Sequence, residues 1–117
     1  MNKSLIIIDF VKCKVEELLL SLGFTPAKIM LATKTIEGQE YLECYKYNET
    51  YCQITCLRHN TVWGEMKDWV LIEYANSLYE AQRWMFEDGD MIPLDIPIEQ
   101  ILSELKEEIV RDVNINS

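Results

Sequence analysis

Residues 40–58 read EYLECYKYNETYCQITCLR, and the fold turns on whether this stretch is helical or extended. Tyrosine, threonine, isoleucine and cysteine dominate it, and a polar Asn48-Glu49 pair interrupts two runs of period two, which is hairpin patterning. In the first run Leu42 and Cys44 share a face, and Tyr41, Glu43, Tyr45 and Tyr47 share the other; in the second, Cys52, Ile54 and Cys56 fall together. For the small apolar sets to meet, the register favours a three-residue loop, Asn48-Glu49-Thr50, which leaves a row of tyrosines on the outer face. Upstream, KIMLATKTI at 28–36 has the same character beyond an EGQ turn, so residues 28–58 are predicted to form a three-stranded meander. DWVLIEY at 68–74 adds a fourth strand, and its centre, apolar on both faces, places it inside the sheet or under a helix.

Helical spacing flanks the sheet. Ile8, Val11, Val15, Leu18 and Leu22 follow a 3-4-3-4 pattern that Gly23 stops; the helix starts either at a Ser4 cap or at Asp9, after a short LIII strand. SLYE at 77–80 is a capping box, with Ser77 and Glu80 each bonding the other's amide, and it opens a helix predicted to end at Gly89. The segment 95–113 offers Asp95 as a cap, Pro97 in the first turn, and an apolar face of Ile98, Ile101, Leu102, Leu105, Ile109 and Val113. Strand-rich and helix-rich blocks are segregated. The expected class is α+β: a three- to four-stranded antiparallel sheet carrying an N-terminal helix and two C-terminal helices on one face, in a single domain, residues 1–117.

The net charge of −9 is concentrated at one end. Residues 87–117 carry nine acids and two bases, or −7, which leaves 11 acids and nine bases, or −2, for the rest. Such a field repels nucleic acid and anionic lipid and attracts basic protein surfaces. The longest apolar runs, LIII and WVLI, hold four residues each against the ~20 a spanning helix needs, so a cytoplasmic protein without membrane contact is expected.

Catalytic patterns are missing. His59 is the sole histidine and no nucleophile elbow accompanies it, while the glycines at 23, 38, 64 and 89 are too scattered to cradle a phosphate. Cys52, Cys56 and His59 have zinc-like spacing, but on a strand the two thiols stand roughly 13 Å apart. We expect no catalytic residues, no metal and no cofactor, and four reduced cysteines, three of them packed as small hydrophobes.

The remaining chemistry lies in RWMFEDGDMIPLD at 83–95, where Glu87, Asp88, Asp90 and Asp95 surround Gly89. The spacing is not that of a calcium loop, since Pro93 stands where glycine is required. If Glu87 and Asp88 end a helix, its dipole opposes them by about 0.3–1 kcal/mol each, and a local preference overridden in this way points to binding. Trp84 then supplies an aromatic anchor beside the acids. The stretch IEYANSLYEAQRWMFEDGDMIPLD and the helix after it resemble small bacterial proteins, some of which are immunity proteins of toxin systems. That resemblance implies a small acidic protein that occludes a basic toxin. The expected function is therefore a non-enzymatic protein-binding module with a basic protein partner, and pairing through the tyrosine face predicts a homodimer. The alternative is a small-molecule- or metal-dependent enzyme with a pocket between sheet and helices.

Overall fold

In the computed structural model, which describes residues 3–115, α1 runs unbroken over Lys3–Ser21, so LIII belongs to the helix and not to a separate strand. It ends in a Schellman motif. Gly23 sits at φ 99°, its N–H donates to the Leu20 carbonyl at 3.1 Å, and the Phe24 N–H donates to Leu19 at 3.0 Å. The buried stripe of α1 is Val11, Val15 and Leu19.

The meander is present: β1 (Thr25–Thr35), β2 (Gly38–Tyr47), β3 (Thr50–Asn60) and β4 (Met66–Ala75) lie in sequence order, each antiparallel to the next. The sheet has six strands and not three to four, because two short ones, β5 (Glu87–Asp88) and β6 (Ile92–Pro93), pair along the far edge of β4. In the chain they are flanked by α2 (Leu78–Gln82), before β5, and α3 (Ile98–Val113), after β6.

The expected register is off by one residue. Tyr47 pairs directly with Thr50, so the loop is the two-residue Asn48-Glu49, with Asn48 at φ 51°, a value asparagine tolerates better than most residues. A one-residue slip exchanges faces. Tyr45 and Tyr47 therefore share the face of Cys52 and pack into the main core, where α1 and α3 bring Val15, Leu19, Ile101, Leu105 and Ile109 onto Val70 and Ile72. Tyr51 is buried on the opposite face with Ile29, Cys44, Ala75 and Ala81. Of the four tyrosines only Tyr41 stays largely exposed, so the outer aromatic row, and with it the surface on which a homodimer was expected, is not formed.

Ala81 belongs to α2, which packs against β1, β3 and β4 on this second face. The helices are thus divided, α1 and α3 on one side and α2 on the other, and not gathered on one face. Burial on both sides explains why WVLI is continuously apolar: Val70 and Ile72 point one way, Leu71 the other, and all are at most 2% exposed.

Candidate functional site

The capping box at the start of α2 forms in part. Ser77 Oγ accepts the Glu80 N–H at 3.1 Å, while the Glu80 carboxylate accepts the Asn76 N–H at 3.4 Å and not that of Ser77. The helix ends at Gln82 and not at Gly89, in the same Schellman motif that closes α1: the Trp84 N–H donates to Ala81 at 3.3 Å and the Met85 N–H to Glu80 at 2.9 Å. Here the left-handed position, normally glycine, is held by Trp84 at φ 57°. A bulky side chain costs roughly 1–2 kcal/mol in that conformation. The indole is 52% exposed, touches Phe86 at a ring separation of 5.8 Å, and has the exposed Met85 beside it in the chain.

Glu87 and Asp88 follow as β5, so they do not oppose a helix dipole. Asp88 pairs with Glu73 and Glu87 with Tyr74, and both carboxylates are exposed on the sheet edge. Asp90 is 3.9 Å from Arg111 and Asp95 is 2.9 Å from Lys67; these are surface ion pairs. Asp95 is not the cap of α3, whose N-cap is Pro97 without a side-chain bond. The four predicted acids therefore form no cluster. They are strung along the segment that covers the far edge of β4, whose pairs Tyr74–Glu87 and Trp69–Pro93 are themselves about 17 Å apart.

Gly89 has a different role from a helix stop. Its φ is not positive, and its N–H donates to the Ile72 carbonyl at 2.8 Å. A Cβ placed there would lie 2.5 Å from Glu108 Oε2 and 2.8 Å from Ile72 O. The missing side chain makes room for Glu108, a carboxyl only 2% exposed. Glu108 Oε2 accepts the Tyr74 hydroxyl at 2.6 Å, and Oε1 accepts the Asp90 N–H at 2.5 Å. Burial pushes the Glu108 carboxyl up; those two hydrogen bonds act against the shift, and the Asp90 and Asp112 charges add to it. Burial and the bond to Glu108 likewise push Tyr74 up. The acidic edge is thus fastened to α3 by one buried carboxyl. Sequence reasoning passed over Glu108 as one more surface acid, although it lies three residues beyond Leu105 and seven beyond Ile101, on the buried stripe of the helix.

Elsewhere, all four cysteines are free thiols; Cys44 and Cys52 are buried and Cys13 is exposed. Among the described residues no three His, Cys, Asp or Glu side chains are grouped to hold a metal ion, and no helix is long and apolar enough to cross a membrane. Cys52 and Cys56 lie on β3, where strand spacing separates them.

No protein family, no curated protein and no solved structure matches the chain. The arrangement itself offers a half-exposed indole held in a costly conformation, followed at once by an edge strand with two unneutralised carboxylates. Such a surface suits association with a protein carrying basic groups around an apolar pocket.

Proposed function

We propose that this chain is a non-enzymatic binding protein that occludes a basic partner in the manner of an immunity or inhibitor protein. Trp84 is the anchor, and Glu87 and Asp88 provide the complementary charge, with Asp90 and Asp95 further along the edge. The observation that carries the reading is Trp84 itself, a tryptophan at a glycine position with 52% of its surface exposed. The turn that closes α2 asks only for glycine at this position, and strain kept there for the sake of a half-exposed aromatic residue is characteristic of sites that act on another molecule. The charge asymmetry agrees, because the −7 of residues 87–117 is carried by this edge and by α3.

The test is a pulldown from the host lysate with the wild-type protein and with Trp84→Ala/Glu87→Gln/Asp88→Asn as paired baits. A basic protein held by the wild type and lost from the triple variant supports the proposal. Equal retention by both baits refutes this site, provided circular dichroism shows the variant folded.

A further inference from the structure

β2 and β3 pair only from Tyr45 to Tyr47 against Thr50 to Cys52, whereas β1–β2 and β3–β4 stay paired out to their turns. The meander is therefore a fork of two hairpins joined at the Asn48-Glu49 turn. Just beyond the last shared pair, α1, the start of β1 and the two diverging strands line an open cleft of about 650 Å³.

Inside the fork, main-chain groups lack a strand to pair with. In a two-residue hairpin the closing pair, Tyr47 and Thr50, exchanges both hydrogen bonds, and bonded pairs then recur at every second residue. Continued past Tyr45 and Cys52, that alternation aims the N–H and C=O groups of Glu43 on one arm, and of Ile54, Cys56 and Arg58 on the other, across the gap. The outer edges of the sheet are treated differently. β1 carries an irregularity between Met30 and Lys34, where the Gln39 amide donates to the Leu31 and Thr33 carbonyls, and β4 is covered by β5 and β6. Bulges and covering strands are what blunt an edge against pairing, and the inner edges have neither.

We propose that the fork takes up an extended segment of another polypeptide by main-chain pairing with β2 and β3. The occupant is a linear segment and not a second copy of this chain. Every described strand is already paired on one side or both, so no strand of a second copy has two free edges to offer. The cleft selects little by charge: Lys12 and Lys28 are matched by Glu16 and Glu43, and Glu16 already accepts the Tyr45 hydroxyl. The preferred segment is near neutral, with one apolar side chain on the face of Ile54 and its neighbour in the segment on the opposite face, beside Cys44. Exposed apolar residues mark the far end of each arm, Ile36 on one and Val62 and Trp63 on the other. The fork lies across β3 and β4 from the acidic edge, and it stands whether or not that edge binds a partner.

The probe is a synthetic peptide, the most enriched sequence selected from random short peptides displayed on phage against the purified protein. Its affinity is measured by calorimetry on the wild type, on Glu43→Pro and on Glu43→Ala. Proline at an edge position whose N–H faces away from the neighbouring strand removes no bond of the native sheet, so the variant retains its fold. Binding should weaken roughly tenfold or more with proline and stay near wild type with alanine. Backbone N-methylation of alternate peptide residues should likewise abolish it. Failure to enrich any peptide, equal binding by folded Glu43→Pro, or loss of binding in Glu87→Gln/Asp88→Asn in its place would each overturn the proposal. If Glu43→Pro does not fold, hydrogen exchange on the wild type decides: slowed Ile54 and Cys56 amides with peptide bound support main-chain pairing, and unchanged rates refute it.

Discussion

Replacing Gly89 with alanine separates the two roles this glycine has been given. As a left-handed helix stop it would resist alanine through backbone strain, but its φ is not positive, so alanine meets no such penalty. As a spacer under Glu108 it resists through contact. The new methyl would stand 2.5 Å from Glu108 Oε2, 2.9 Å from Cδ and 2.8 Å from the Ile72 carbonyl, all well inside van der Waals range. The Ile72 carbonyl is backbone in the central strand and cannot swing aside. Glu108 can move only by losing its bonds to Tyr74 and the Asp90 amide. Overpacking costs about 1–3 kcal/mol, and a buried polar group left unsatisfied adds about 1–3. We expect Gly89→Ala to lose about 2–4 kcal/mol, read as a lower urea midpoint with unchanged slope. In the double variant Gly89→Ala/Glu108→Ala the loss should be less than the sum of the single losses, because the second change vacates the space the first requires. A Gly89→Ala protein as stable as wild type would refute the spacer argument.

Four further outcomes are expected. Because the fold raises the Glu108 carboxyl above its unfolded value of about 4.3, the associated stability is full below that pH and is lost as pH rises through the raised value. The urea midpoint of the wild type relative to Glu108→Gln should therefore fall between acid and neutral pH, and a constant difference would contradict it. Asp88→Asn should stabilise by a few tenths of a kcal/mol in the same assay, since Asp88 faces Glu73 directly across the strands; destabilisation would show a bond the geometry lacks. Trp84→Gly should change stability by less than about 1 kcal/mol, as relief of the left-handed backbone offsets loss of the Phe86 contact; a large loss would make the indole structural. Cys13 should react with a thiol reagent at once and Cys44 and Cys52 only on unfolding, because burial removes access and pushes both thiols up; uniform rates would deny the packing.

What the sequence made legible was set by local chemistry. Period-two runs located β2 and β3, strand-forming composition located β1, a continuous apolar run located β4, the 3-4 spacing located α1 and α3, and Ser77 located the start of α2. What it hid was set by contacts distant in the chain. EAQRWMFED has no glycine or proline to end a helix, and it ends only because Trp84 adopts the left-handed position and β4 offers Glu87 and Asp88 a strand to join. The β2–β3 register was read from pairing small apolar residues across one face. In the fold those residues occupy opposite faces, since helices cover both and each needs an apolar set. Of the candidate site, Trp84, Glu87 and Asp88 stay together because they are close in the chain, Trp84 in the turn that closes α2 and the two acids in β5 directly after it. Asp90 and Asp95 are drawn into ion pairs with Arg111 and Lys67, residues far away in sequence that no spacing rule connects to them. Glu108 was obscured by its company in KEE, where three charged residues read as solvent-facing although only the third is on the inner stripe.

The central claim, that the acidic edge and Trp84 bind a basic partner, is tested most directly by association kinetics with the captured protein, measured across a salt series. Exposed charges steer encounter and are screened over about 8 Å at physiological ionic strength, whereas a buried aromatic anchor governs how long the complex lasts. The account predicts that Glu87→Gln/Asp88→Asn lowers the association rate at low salt, with the difference closing as salt rises, and that Trp84→Ala raises the dissociation rate at every salt concentration. Wild-type rates in both variants, with the complex intact, would contradict it.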